Sequence, residues 1–430
     1  MMEGTVRTGV PRKLCKLFVV VTFISVGLCY LLATVSDYKS PLPFKPSSQK
    51  MPNRGLFGGH DKEVCDKKLN YMFVKVHKAG STTTTCILQR FAYENDLTVA
   101  LPMKGHANIG WPHFFKREDI IPSADGTFNV LVDHVVYHKE LLHHILPADT
   151  VYFATLRHPL SHLKSVFNWY HLTTRFHGLD REHPLRSFLE NPTKFEIPYL
   201  TKGRAFFSYT KNYMAFDLGF PIGLSDSKSA VDEFVSRLSK DIHLVLILEY
   251  YNESLVLLRR IMCWKLKDIL YDLQPKNIRT YNKTSENFTR LVAMHRQWSN
   301  VDYQLYDYFN ATLWDKIKQE GGDFHQEVDH FQKVLQSTAT YCAEATQDKH
   351  EINSTFAKLT IPVSAWNDEF DIDPHFCFKL KMHRWDWDFV FHKKQKLPWN
   401  VSDAVRESIH SPGLRVLNEY LVREIFNIIK

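Results

Sequence analysis

Several absences narrow the reading of this sequence before any motif does. It has no C-x-x-C pair, which excludes a zinc ribbon and a thioredoxin-type redox motif. It has no G-x-x-x-x-G-K-[ST] run, so a P-loop nucleoside triphosphatase would lack its phosphate cradle. No internal repeat, low-complexity tract or basic block occurs. The net charge of +7, from 54 basic and 47 acidic residues, is mild for 430 residues. It fits a basic pocket for an anionic ligand better than a nucleic-acid surface. Hydrophobic residues make up 44% and charged residues 23%, so bulk disorder is excluded. No cluster has metal-ligand spacing, and no metal is expected.

Long uncharged runs are also scarce, which makes one of them informative. Leu17 to Val35 carries no charge over 19 residues, and at about 1.5 Å per residue it spans roughly 28 Å, close to a bilayer core. Arg7, Arg12, Lys13 and Lys16 precede it, opposed only by Glu3. That bias places the short N-terminal side in the cytosol. A cleaved signal peptide usually has a shorter apolar core and an A-x-A site, and no convincing site is present. The expectation is an uncleaved membrane anchor with a cytosolic tail at 1–16, a transmembrane segment at 17–35 and a stem at 36–62. The stem is rich in Pro, Gly and Ser, with Pro41, Pro43, Pro46 and Pro52. A lumenal domain would follow over 63–430.

Two features agree with an oxidising, glycosylating compartment. N-x-S/T sequons fall at Asn252, Asn282, Asn287, Asn310, Asn353 and Asn400, while Pro192 spoils Asn191. Five of the seven cysteines lie beyond the anchor: Cys65, Cys86, Cys263, Cys342 and Cys377. Some should pair, and the odd count leaves at least one over. Spacing alone does not choose the pairing.

From about Leu69, short apolar runs alternate with amphipathic segments. "YMFVKV", "FNVLVDH", "VYFATLR" and "IHLVLIL" read as mostly buried strands. Ser254 to Trp264 has helical period, with Leu255, Leu258 and Met262 on one face. The alternation predicts an α/β domain with a central parallel sheet covered on both sides. Residues 320–400 give no clear pattern.

The chemistry concentrates at three strand ends. In "YMFVKVHKAGSTTTTC" the strand should end near Val76 and a helix should start near Ser81. The first N–H groups of a helix lack internal partners and carry the positive end of its dipole, so they hold phosphate or sulfate. Gly80 lets the backbone approach an anion. Ser81, Thr82 and Thr83 add hydroxyls, and Lys78 adds an ammonium. The bland alternative is a Ser/Thr helix cap beside a solvated lysine. In "VYFATLRHPLSHLKSVFNWYH", Arg157 ends a strand and Ser165 follows on a helix, which suits a phosphate clamp. An ordinary surface arginine is the alternative. In "FNVLVDHVVYH", His134 ends a strand where open α/β sheets bind ligands, and a neutral imidazole there would take a hydroxyl proton. His77, His138 and His158 compete for that role.

Together these pieces resemble the Golgi sulfotransferases that use 3′-phosphoadenosine 5′-phosphosulfate. "HKAGSTT" is similar to their 5′-phosphosulfate loop, P-K-x-G-T-T. Lys78, Gly80 and Thr82 match it, while His77 stands for the usual Pro and Ser81 for the first Thr. "LRHPLSHLKS" is similar to their 3′-phosphate motif through Arg157 and Ser165. A closer resemblance, over about Cys65 to residue 345, is to the galactose 3-O-sulfotransferase family. It is carried by "TFNVLVDHVVYH", "NYMAFDLGF", "HLVLILEYYNESLVLLRRIMCWKLKDILY" and "QLYDYFNATLW".

The resemblance implies a three-layer α/β sandwich akin to nucleotide kinases and a 3′-phosphoadenosine 5′-phosphosulfate co-substrate, with no metal. It implies that Lys78 sits at the bridging oxygen, that Ala79 to Thr83 hold the 5′-phosphosulfate, and that Arg157 and Ser165 hold the 3′-phosphate. It implies His134 as the base. The acceptor would be terminal β-galactose on a glycolipid or glycoprotein glycan, sulfated at its 3-hydroxyl by in-line attack in the Golgi lumen. A homodimer stays compatible. Family relatives can carry Asp where Asn252 stands, and Asn252 fits a helix cap, so it is the poorest glycan candidate. Asn282, Asn287, Asn310, Asn353 and Asn400 are better ones. The rival readings are another carbohydrate sulfotransferase, with a different hydroxyl or a glycosaminoglycan acceptor, and an inactive homologue that only binds glycan or donor. A kinase-like nucleoside triphosphatase is disfavoured by the missing G-K-[ST].

Overall fold

The structure is a computed structural model, and it describes residues 65–103, 108–123, 126–203, 207–273, 287–346 and 356–395. The expected tail, anchor and stem, and the sequons at Asn282, Asn353 and Asn400, lie outside these residues. Among the described residues no helix is long and apolar enough to cross a membrane.

All four apolar runs form strands. They are β1 (Tyr71–Val74), β2 (Val130–Leu131), β3 (Val151–Leu156) and β4 (Leu244–Ile247). They make one parallel sheet in the order β2-β1-β3-β4. Tyr71 pairs with Val130 on one side and Val151 on the other, and Phe153 pairs with Leu244. Every residue of the four strands is buried. Successive side chains point to opposite faces, so both faces of the sheet are covered.

The strand order reverses at β1, because the chain leaves it toward β2 and returns on its other side as β3. A crevice opens at the carboxyl ends around such a switch point. The loops that follow β1, β2 and β3 carry the three sequence motifs, so the topology brings them to one end of the sheet.

The helices around the sheet include α1 (Ser81–Glu94), α2 (Pro159–Trp169), α3 (Tyr213–Asp217), α4 (Lys228–Asp241) and α5 (Tyr251–Met262). Further on come α6 (Phe288–Trp298), α7 (Asn300–Gln319) and α8 (Phe324–Ala345). Their local logic is plain in α4. The Ser227 hydroxyl accepts from the Ala230 N–H, and Val231, Phe234 and Leu238 form its one buried stripe. In α5, Leu255, Leu258 and Met262 are buried as the period requires. Asn252 does not cap this helix. Tyr250 holds the cap position, and Asn252 lies in the first turn, where its carbonyl oxygen accepts from the Tyr271 hydroxyl at 2.9 Å.

The described part of the stretch that gave no clear pattern has regular structure. After α8 come an antiparallel hairpin, β5 (Leu359–Ile361) with β6 (Phe370–Ile372), and two helices, α9 (Pro374–Lys381) and α10 (Arg384–Lys394). Asp373 caps α9 by accepting from the Phe376 N–H at 2.7 Å, and Pro374 occupies the first helical position. Two disulfides form. Cys65–Cys263 ties the approach to β1 to the end of α5, and Cys342–Cys377 ties α8 to α9. Cys86 is buried in α1 and belongs to neither pair.

Candidate active site

The β1–α1 connection is built for close backbone approach. Lys78 has φ +59° and Gly80 has φ +79°. Left-handed residues on both sides of Ala79 make the kind of turn in which successive backbone N–H groups can form an anion nest. A Cβ on Gly80 would also meet a Leu248 methyl at 2.5 Å. Helix α1 starts at Ser81 with Gly80 in the cap position, and no side chain caps it. The Ser/Thr-cap alternative therefore does not hold. Ser81, Thr82 and Thr83 are the first three helical residues, and the dipole of α1 ends at the nest. The next two hydroxyls face the interior. Thr84 pairs with the Tyr251 hydroxyl at 3.0 Å, and Thr85 donates to the Val132 carbonyl at 3.5 Å.

Two cations and α2 converge on this loop. The Lys78 ammonium stands 3.7 Å from the centre of the Trp169 ring, the last residue of α2. The Arg157 guanidinium, just past β3, donates to the Lys78 carbonyl at 3.5 Å, the outer limit of a hydrogen bond. Ser165 and Trp169 are four residues apart on α2 and share a helical face. Ser165, half-buried, is thus on the side of α2 that meets Lys78.

His134 follows β2. Its Nδ1 lies 2.7 Å from the Lys75 carbonyl oxygen. A carbonyl only accepts, so Nδ1 carries the proton and Nε2 keeps its lone pair. Burial, followed by the charges of His77, Lys75 and Arg384, holds this imidazole well below its ordinary range despite the hydrogen bond to Lys75. The ring is neutral at neutral pH, as a proton acceptor must be.

His77, the residue in place of the usual proline, is held rigidly. Its backbone N–H and its Nδ1 both donate to Asp217 Oδ2, at 2.7 and 2.9 Å. Asp217 Oδ1 accepts from the Trp111 indole N–H at 2.9 Å. His162 Nε2 donates to the His77 carbonyl at 3.0 Å. The His77 ring stacks on His134. The other competitors sit elsewhere: His138 pairs with Glu140, and His158 packs on Tyr306. Asp217 and Trp111 were not singled out in the sequence. The available signal for Asp217 was an acidic residue inside the apolar run "MAFDLGF", because a buried carboxylate requires donors.

The arrangement provides an oxyanion-binding loop, two converging cations and a neutral imidazole with a bare nitrogen. It can hold a phosphosulfate-like group and accept a hydroxyl proton. Among the described residues no group of three or more His, Cys, Asp or Glu side chains is placed to hold a metal ion.

Comparison with known proteins agrees with this geometry. A family model described as galactose-3-O-sulfotransferase matches residues 8–359, a wider span than residues 65–345. The chain is 29% identical over 325 residues to galactosylceramide sulfotransferase of Mus musculus, covering 72% of this chain and 73% of that one. It is 32% identical over 294 residues to galactose-3-O-sulfotransferase 2 of Homo sapiens, covering 67% and 71%. To galactose-3-O-sulfotransferase 3 of Bos taurus it is 32% identical over 259 residues, covering 59% of each chain. The chain therefore belongs to the galactose-3-O-sulfotransferase family of enzymes.

Proposed function

We propose that this enzyme moves the sulfuryl group of 3′-phosphoadenosine 5′-phosphosulfate to the 3-hydroxyl of a terminal β-galactose on a glycolipid or glycoprotein glycan. The observation that carries the reading is the convergence of Lys78, Arg157 and His134 on the nest after β1, in a chain of this family.

The roles follow from charge and hydrogen-bond capacity. Backbone N–H groups and hydroxyls of Ala79, Gly80, Ser81, Thr82 and Thr83 hold the 5′-phosphosulfate. Arg157 and Ser165 hold the 3′-phosphate, which separates this donor from ATP-like molecules. His134 Nε2 takes the proton of the galactose hydroxyl as that oxygen bonds to sulfur. Lys78 stabilises the oxygen on the leaving phosphate as the opposite S–O bond breaks and charge collects there. The nucleophile and leaving oxygen lie in line, by analogy with phosphoryl transfer.

The setting is part of the same proposal: a single-pass Golgi membrane protein with a cytosolic N-terminus and a lumenal catalytic domain. Three features support it. The uncharged run Leu17 to Val35 lies within the family match. Two disulfides imply an oxidising compartment. Of the described sequons, Asn287 is exposed at the start of α6, where its carbonyl oxygen caps the Arg290 N–H, while Asn310 is half-buried.

The test is transfer of label from 3′-phosphoadenosine 5′-[³⁵S]phosphosulfate by the purified protein. The acceptors are galactosylceramide, lactose, type 1 and type 2 galactosyl-N-acetylglucosamine, and glycosaminoglycans. Label on terminal galactose, abolished by blocking the 3-hydroxyl, is the expected result. Label on glycosaminoglycans alone would overturn the acceptor, and donor binding without transfer would overturn the activity.

A further inference from the structure

We propose that α10, which lies beyond the family-model match, is a positioning element of the active centre, in which Arg384 fixes the His134 strand end through Asp133. The inference rests on the reading of His134 as the base.

Arg384 opens α10 and is buried. One of its guanidinium nitrogens lies 2.7 Å from Asp133 Oδ1 and 2.8 Å from Asp388 Oδ2. Asp133 is 1% exposed and immediately precedes His134. The other oxygen of Asp388 accepts from Gln89 Nε2 at 2.7 Å, and Gln89 is fully buried on α1. A single side chain therefore links the strand end that bears His134, and, through Asp388, the helix that begins at the anion loop. One residue past the other end of α10, Gln395 accepts from the Val99 N–H at 2.8 Å and donates to the Val99 carbonyl at 3.2 Å. The helix is fastened at both ends.

The same buried cluster reaches the base from a second direction. Lys75, 2% exposed, holds His134 Nδ1 with its carbonyl, while its ammonium has no hydrogen-bond partner among the described residues. Burial and the Arg384 charge lower the basicity of that amine, and burial raises Asp388. Groups facing His134 are thus His77 and Lys75 from the β1–α1 segment, and Arg384 from α10, with Asp133 and Asp388 compensating Arg384 and Asp217 behind His77. Arg384 acts on the base both by holding Asp133 and by disfavouring the imidazolium.

A purely architectural clamp would alter how much protein folds and leave the folded enzyme's pH profile and turnover unchanged. The experiment compares Arg384→Gln, Arg384→Lys and His134→Ala as the full chain, with a thermal unfolding scan of each. The readouts are kcat, KM for the labelled donor, and kcat/KM against pH. Arg384→Gln should lower kcat by about a hundredfold, the cost of a small misplacement, with donor KM within about twofold. Its acid limb should move to higher pH, because a positive charge that disfavours imidazolium is gone. Arg384→Lys keeps the charge but loses the fork, so it should lower kcat and leave the limb in place.

Wild-type kcat and an unmoved limb in folded Arg384→Gln would overturn the proposal. If that variant does not fold, wild-type kcat in Arg384→Lys would overturn it. If His134→Ala is inactive while both Arg384 variants turn over normally, only the positioning role fails. If His134→Ala turns over normally, the base assignment fails, and the positioning role falls with it.

Discussion

The imidazoles of His77 and His134 stack at 3.7 Å between ring centres, with their planes 11° apart. Each ring is anchored through Nδ1, His77 on the Asp217 carboxylate and His134 on the Lys75 carbonyl. The anchors differ in charge. At His134 the hydrogen bond to the Lys75 carbonyl favours the protonated ring, but burial, followed by the charges of His77, Lys75 and Arg384, outweighs it and holds the ring neutral.

That electrostatic pressure has a sign that can be measured. As the proposed base, His134 is competent only when neutral, so activity should be present above its folded-state pKa and lost as pH falls through it. Its pKa is held well below the usual 6.5. The acid limb of kcat/KM, which reports the free enzyme, should therefore lie below pH 6.5. A limb at or above that value would show that another group governs the profile.

Asp217 accepts three hydrogen bonds while almost fully buried. Asp217→Asn places an amide N–H₂ against donors that cannot accept. The expected cost is about 1–3 kcal/mol of stability, read by denaturant unfolding, together with reduced kcat as His77 loses its orientation. Unchanged stability and kcat would remove Asp217 from the site's framework.

Arg157, proposed to hold the donor's 3′-phosphate, lies next to the Lys78 carbonyl. Removing a charge-assisted contact of about 1.5–3 kcal/mol in Arg157→Ala should weaken donor binding by about 10- to 150-fold. The acceptor KM should change little. Equal losses for donor and acceptor, measured by isothermal titration and initial rates, would refute the 3′-phosphate clamp.

The Cys65–Cys263 bridge joins residues 198 apart and holds the approach to β1 against the end of α5. Paired Cys65→Ser and Cys263→Ser substitutions should cost about 2–5 kcal/mol, seen as a lower unfolding midpoint in a urea titration. A midpoint equal to wild type would mean that the bridge contributes nothing to the folded state.

Much of this molecule was legible because its signals are local. Four apolar runs named four strands, and the run "HKAGST" placed the strand-to-helix turn within a residue or two of where it falls. That Lys78, Arg157 and His134 gather at one end of the sheet was legible because strand ends in parallel sheets collect at one edge. What was missed depends on pairs distant in sequence. Asp217 meets His77 across 140 residues, and Arg384 meets Asp133 across 251. Helices α9 and α10 carry weak apolar periodicity because aromatic, basic and acidic residues mix on them, and their burial comes from docking on α1 rather than from a clean stripe. Asn252 reads as a cap because Asn often is one, but a helix that begins two residues earlier, at Tyr251 rather than Glu253, places it in the first turn.

The most direct test of the account is a single-turnover measurement on His134→Ala preloaded with labelled 3′-phosphoadenosine 5′-phosphosulfate and mixed rapidly with a β-galactoside. Donor binding should persist, because the nest after β1, Lys78 and Arg157 are intact, while transfer should slow by about 10²- to 10⁴-fold. Transfer at the wild-type rate by a folded His134→Ala protein would contradict the account.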